Sequence, residues 1–182
     1  MVTHAASDYD RAASILLESI LRGDTDVQNR KELGPQVPIQ LFQALRLIGL
    51  GTSIEDMVGD GARALVYQSG QRVGQILGGA VLPKADKDLK KYMDLIRKVC
   101  LQLTIGQLVE EKVNLSDGRI SLRVDECVSC AGIAGTTGPI CHFEAGLVGG
   151  VVRVFAGREV RALETRCNAI GDNTCGIDVQ IL

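Results

Sequence analysis

The chain has 182 residues, which suits one domain with an N-terminal appendage. A chain of that size buries roughly 70% of the surface its unfolded form exposes, so it builds a core without staples. The net charge is −2, basic and acidic residues are interspersed, and no basic stripe or aromatic platform is present, which excludes the nucleic-acid-binding class. Trp is absent and aromatics are 3% against 46% hydrophobic residues and 21 glycines, so any pocket is expected to be mostly aliphatic and glycine-lined.

The N-terminus "MVTHAASDYDRAAS" has neither a basic n-region nor an apolar h-region, and no apolar run reaches the roughly 18 residues of a membrane span. A cytoplasmic location is the expectation. In that reducing setting the six cysteines read as thiols, metal ligands or redox groups rather than a disulfide framework.

A first helix is expected from about Asp8 to Leu21, with Ala12, Ile15, Leu16 and Ile20 at helical spacing. The polar stretch "RGDTDVQNRKELGPQVP" reads as a linker, placing a boundary near residue 35 with the main domain spanning 36–182. Helical periodicity returns over Ile39–Leu50 through Leu41, Leu45 and Ile48. Gly49 and Gly51 supply a stop, and Ser53 an N-cap for the next helix, about Ile54 to Leu77.

That helix carries Ala62, Val66, Gly70, Gly74 and Gly78 at four-residue intervals. Each interior glycine costs roughly 1 kcal/mol against alanine, so the face must meet something closely. The candidates are a packed helix, a dimer seam or a pocket wall. A further helix, about Lys87 to Gly106, presents Leu89, Met93, Ile96, Val99, Cys100 and Leu103, with Cys100 as a small core residue.

Two alternating runs joined by Asp-Gly, "LVEEKVNLSDGRISLRVDEC", then signal a hairpin. "GPICHFEAGLVGGVVRVFAG" reads as a helix ended by Gly157, and "EVRALETRCNAIGDNTCGIDVQIL" as a second hairpin. The order predicts an α+β fold, with helices on one face of an antiparallel sheet.

If the last turn centres on Gly171, Cys167 and Cys175 oppose each other across two strands, close enough to share a tetrahedral ion or to form a cross-strand disulfide. Glu164 lies three positions before Cys167, so a regular strand points the two to opposite faces, and a bulge or strand end must turn one of them if both bind. Cys141, in the first turn of the intervening helix, is the natural further donor, where the helix dipole favours a thiolate. It also reads as a packed small side chain. Cys127 and Cys130 form a CxxC with no answering pair, open between a second metal half-site, a redox pair and buried thiols. The only histidines are His4 and His142. His142 is open to a haem or metal role, but beside Cys141 on a helix it points elsewhere, so partly exposed polar surface is its expected fate. Asp172 and Asn173 read as turn chemistry.

"CHFEAGLVGG" followed by "ETRCNAIGDNTCGIDV" resembles the 4-vinyl reductase domain family, with "VPIQLFQALRLIGLG" and "ALVYQSGQRVGQILG" similar to its helical half. The resemblance implies a small-molecule-binding fold related to haem nitric-oxide-binding domains and to vesicle-tethering subunits. By analogy with the zinc-holding sensor domains of phenol-responsive activators, it implies one structural zinc on Cys141, Glu164, Cys167 and Cys175. All four positions would come from protein, leaving none open for catalysis. Cys127 and Cys130 depart from that pattern.

The resemblance further implies a hydrophobic ligand, a tetrapyrrole or chlorophyll precursor by the family's name, with aromatic or lipid-like molecules next, held by a carrier, sensor or assembly factor. Leu41, Phe42, Leu45, Tyr67, Gly70, Gly74, Gly78 and Phe143 are the expected cavity walls. Two other roles are weighed. One is a reductase acting on a vinyl-bearing tetrapyrrole, in which Cys127, Cys130 and Cys100 would reach towards an iron–sulfur cluster. The other is a homodimeric scaffold at a photosystem or membrane surface.

Overall fold

The computed structural model describes residues 7–24, 30 and 32–182. His4 and residues 25–29 and 31 of the expected linker lie outside the described residues. The chain divides into two compact units, 1–37 and 38–182. In the first, helix α1 (Asp8–Arg22) starts at Ser7, whose hydroxyl accepts the Asp10 N–H while the Asp10 carboxylate accepts the Ser7 N–H. This reciprocal arrangement satisfies two of the donors that a helix start leaves without partners. Gly23 ends the helix at φ 72°.

In the second unit, α2 (Ile39–Gln43) continues without a break into a π-helical stretch, Ala44–Thr52, and then α3 (Ser53–Val58). The expected stop at Gly49 and Gly51 does not occur, and Ser53 is not a cap: it sits at φ −64°, ψ −34°, inside the helical path. The wider turn absorbs both glycines, and the Thr52 hydroxyl donates to the Leu47 carbonyl five residues back. The break comes instead at Gly59, whose φ of 62° only glycine adopts freely. The helix expected from Ile54 is therefore divided, and α4 spans Ala62–Val81. Asp88 caps α5 (Leu89–Gln102) by accepting the Lys91 N–H at 2.8 Å.

Strands β1 (Gln107–Asn114) and β2 (Arg119–Asp125) form the first hairpin; α6 (His142–Ala156) follows and ends at Gly157. Strands β3 (Val160–Arg166) and β4 (Cys175–Ile181) form the second. The four strands pair antiparallel in the order β1-β2-β4-β3, so β4 joins the two hairpins. Strand alternation sends Ile120, Leu122, Ala162, Ile177 and Val179 under the helices and leaves Arg119, Arg161 and Asp178 outside. Burial of a side chain such as Leu122 or Ile177 contributes about 1.5–3 kcal/mol. The α+β architecture expected from the sequence is the one observed. None of the described helices is long and apolar enough to cross a membrane.

The glycine stripe of α4 lies against α6. A Cβ at Gly70 would run into the Phe143 carbonyl, and one at Gly74 into the Leu147 carbonyl. From the other side, Gly146 and Gly150 meet the Tyr67 and Gln71 carbonyls. Of the three readings of the stripe, tight helix packing is the one realised. Gly70, Gly74 and Gly78 do not line a cavity, because α6 backbone and the Tyr92 hydroxyl occupy that space. A dimer seam through this face is likewise corrected: the face is taken within the chain.

Candidate metal centre

Three chain segments converge at the end of the sheet. Along β3, Val160, Ala162 and Glu164 share the inward face, which by alternation would turn Cys167 outward. The β3–β4 register slips between Glu164 and Arg166, and this bulge restores Cys167 to the inward side. The following turn is held by the Asp172 carboxylate, which accepts the Cys167 N–H at 2.8 Å, and by left-handed Gly171 and Asn173. Asp172 and Asn173 are turn residues, as their types suggest. Cys175 then opens β4 opposite Val124 of β2.

The second segment is the start of α6. Cys141 is its N-cap residue, and its backbone N–H donates to Glu164 Oε2 at 2.8 Å. The third is the loop after β2. Left-handed Glu126 turns the chain, and the Cys130 and Ala131 N–H groups donate to the Cys127 carbonyl at 3.3 and 3.0 Å. This tight turn brings both sulfurs of the CxxC to the same place.

Five cysteines therefore meet: Cys127, Cys130, Cys141, Cys167 and Cys175 are at most 1% exposed, and Glu164 is 7% exposed. Sγ–Sγ separations are 3.8 Å for Cys127–Cys141, 3.9 Å for Cys141–Cys167, 4.0 Å for Cys141–Cys175 and 3.3 Å for Cys130–Cys175. Two thiolates on one tetrahedral zinc, with Zn–S of about 2.3 Å, stand about 3.8 Å apart, so most of these spacings already suit a shared ion. Two four-donor sets form, Cys141/Glu164/Cys167/Cys175 and Cys127/Cys130/Cys141/Cys175, each with its ligand atoms within 4.8 Å of one another.

Glu164 Oε1 is buried with no hydrogen-bond partner among the described residues. An unpaired buried carboxylate oxygen is costly, and a cation beside it removes the cost. Burial, reinforced by the Cys167 sulfur, pushes the Glu164 carboxyl up to about 9. Cys167 moves the other way, to about 4, through its contact with the Cys141 thiol and, against burial, through N–H groups of Ile140 and Ala169 facing its sulfur. Cys127 is also held below the usual thiol range, by Cys130 first and then Cys141 and Cys175. Cys141 and Cys175 are pushed up, each by Cys127 first and then by Cys130. Ionised together, these six buried donors would repel one another, and a cation among them is what would offset that charge.

Cys100 lies elsewhere. It belongs to the main core under α5, where burial raises its thiol to about 11. An iron–sulfur site combining Cys100 with Cys127 and Cys130 is incompatible with this placement.

The residues that brace the site are ones that no sequence motif marks. Arg46, 3% exposed on the π-helical stretch, donates to both Glu144 oxygens, at 3.2 and 3.0 Å. It also reaches the Ile140 carbonyl at 3.4 Å and stacks over the Phe143 ring at 5.0 Å. The Ser129 hydroxyl, between the two cysteines of the CxxC, donates to Glu144 Oε1. Gln43 donates to the Val128 and Ala131 carbonyls at 3.1 and 2.9 Å. The signal available in the sequence was a lone Arg inside "LFQALRLIGLG" and a lone Glu inside "CHFEAGLVGG".

A cleft of about 410 Å³ adjoins the site, between the π-helical stretch and the start of α4 on one side and residues 136–142 on the other. Leu47, Val66 and Ile140 give it apolar wall, and Arg46, Glu55, Asp60, Arg63, Thr136 and His142 give it the larger, polar part. His142 is half-buried here, its pKa lowered by burial and by Arg63 and Arg46. The expected ligand walls are not brought together: Leu41 and Leu45 are 49% and 62% exposed, and Phe42 is half-buried. The Tyr67 hydroxyl takes the Ala162 N–H at 3.2 Å beneath α6, and Phe143 sits under Arg46.

Residues 120–181 match the vinyl-4-reductase domain family. The chain is 31% identical over 151 residues to uncharacterized protein MJ0150 of Methanocaldococcus jannaschii, covering 83% of this chain and 80% of that protein. A vinyl-4-reductase family protein of the same organism superposes with a TM-score of 0.66 at 15% identity, over 100% of this chain and 99% of that one. The phenol-responsive sensory domain of the transcription activator PoxR, solved with phenol, gives 0.64 at 16% identity, over 97% and 92%. The expected wider kinship of fold is present too. A trafficking protein particle complex subunit 3 from Naegleria fowleri gives 0.58 at 15% identity over 79% and 96%, and an H-NOX protein from S. oneidensis 0.51 at 13% over 94% and 92%. The sheet order, the cysteine-bearing hairpin and these matches lead to one conclusion: the chain belongs to the vinyl-4-reductase domain family.

Proposed function

We propose that this protein is a small-molecule-binding domain of the sensory kind, in which a structural zinc fixes one wall of the binding cleft. One observation carries the reading. Residues 136–140, which form that wall with His142 just beyond, lie between two anchor points at the cysteine cluster. Cys141 holds one end, and the Thr136 N–H donates to the Ala169 carbonyl, inside the Cys167–Cys175 turn, at 3.1 Å near the other. A cation on Cys141, Glu164, Cys167 and Cys175 would tie the last hairpin to α6 and hold the wall in place. Zinc fits a donor set of thiolates and one carboxylate with no open position, which makes it a folding element and not a catalyst. A reducing compartment, where thiols stay available, is part of this proposal.

The cleft also narrows the ligand. Its volume of about 410 Å³ is near the lower end of the 300–1,000 Å³ usual for ligand sites. That size suits a single-ring molecule better than a four-ring macrocycle, and the polar groups of the lining favour one that carries a polar group. Phenol, the molecule bound in the PoxR sensory domain, is the natural first probe. The similar proteins from an archaeal methanogen lend no support to chlorophyll or photosystem roles.

Calorimetric titration of the metal-replete protein with phenol, benzoate and palmitate tests the ligand class. Saturable binding of a single-ring compound, weakened at least tenfold by Arg63→Ala or Val66→Trp, is expected. Binding of palmitate alone, or of none of the three, contradicts it.

A further inference from the structure

One ion on Cys141, Glu164, Cys167 and Cys175 leaves Cys127 and Cys130 unexplained. Both are 0% exposed, and the tight turn that carries them aims both sulfurs at the other three cysteines. Ordinary core packing does not account for them. Their buried neighbours are three further cysteines and Ala169, with apolar side chains only at the rim, Val124, Ile133 and Ile140.

The two four-donor sets overlap in a particular way: they share Cys141 and Cys175, and together they take in all six donors. Cys141 is the hub, its sulfur within 4.0 Å of those of Cys127, Cys167 and Cys175. Cys175 in turn lies 3.3 Å from Cys130.

We propose that the cluster is a binuclear centre in which the Cys141 and Cys175 thiolates bridge two thiophilic divalent cations. Cys127 and Cys130 complete one ion's coordination, and Glu164 and Cys167 the other's. A thiolate sulfur has lone pairs enough for two metals, so six protein donors fill two tetrahedra with none left open. Each thiol that enters the centre gives its proton to solvent. The Cys130–Cys175 contact has to widen by about half an ångström to reach the roughly 3.8 Å of two ligands on one tetrahedral ion. The other measured spacings already match. The consequence for the fold is that the loop after β2 is bound to the same centre as the last hairpin and α6. Through Gln43 and the Arg46–Glu144–Ser129 contacts, it is also bound to the π-helical stretch.

This inference rests on the reading that the cluster holds metal, and the two fail differently. The test is a titration of the full-length, metal-free, reduced protein with Co²⁺, followed by thiolate-to-cobalt charge-transfer absorption and by electron paramagnetic resonance. Charge-transfer absorption rising to two equivalents is expected. The paramagnetic signal of the first equivalent should fall as the second enters, because shared sulfurs couple the two spins. Saturation at one equivalent, or two equivalents whose signals simply add, overturns the binuclear centre and leaves the single-metal reading standing. No thiolate absorption overturns both. Zinc content of purified variants is the second arm. C127S/C130S and E164Q/C167S should each retain about one equivalent of the wild type's two. If one of these pairs leaves the metal content unchanged, its residues are not ligands and the proposal falls.

Discussion

Arg46 and Glu144 form a two-pronged ion pair at 3.2 and 3.0 Å, with side chains only 4% and 15% exposed, linking the π-helical stretch to α6 directly above the cysteine loop. The pair joins the cleft's outer wall to the metal centre. Removing Arg46 alone would strand a buried carboxylate that also holds Ser129. Arg46→Met should therefore cost about 3–5 kcal/mol in urea unfolding, and the double variant Arg46→Met/Glu144→Gln should recover part of that loss. A single variant as stable as wild type would show that the pair does not brace the site.

Glu164 offers a test with opposite signs. In the metal-free protein its folded-state carboxyl lies at about 9, above its ordinary 4.5. Between those values the folded state binds a proton that the unfolded state does not, so this group's contribution to stability falls as pH rises from about 4.5 to about 9. Glu164→Gln removes that penalty. Without metal, its melting temperature relative to wild type should climb across this pH window. With zinc bound the order should reverse, because the neutral amide is a weaker ligand. The same sign in both states would rule out Glu164 as a ligand.

The α4–α6 contact separates two kinds of glycine. Gly70→Ala sets a Cβ into the Phe143 carbonyl and forces the helices apart; a loss of at least about 3 kcal/mol is expected, at or beyond the upper end for overpacking. Gly79, exposed on the same helix with nothing within 4 Å of an added methyl, should gain about 1 kcal/mol on change to Ala from helix propensity. Thermal unfolding of the two variants decides it. Equal effects would contradict the packing described.

The sequence carried the fold well where periodicity and turn chemistry agree. Both hairpins, Gly157 as a stop and the shared face of Cys167 and Cys175 were all legible. A bulge or strand end between Glu164 and Cys167 was legible only on the condition that both bind one ion, since strand parity by itself points them apart. The π-helical stretch was not legible, because glycine at 49 and 51 reads as a stop under local rules and only the wider turn and its tertiary contacts override it. The glycine stripe announced a close approach but not the partner, since the α6 backbone that Gly70 and Gly74 meet, at Phe143 and Leu147, lies some 73 residues further on and is brought alongside only by the fold. The convergence of Cys127 and Cys130 on the same site was illegible for a related reason: it depends on the pairing of β2 with β4, which no local pattern encodes.

X-ray absorption at the zinc edge of the purified, reduced protein addresses the central claim most directly. A coordination shell dominated by sulfur at about 2.3 Å, with a minor oxygen component at about 2.0–2.2 Å, is expected for a metal held by these cysteines and Glu164. A shell of nitrogen and oxygen alone, or protein that folds cooperatively with no zinc and gains no stability when zinc is added, would contradict it.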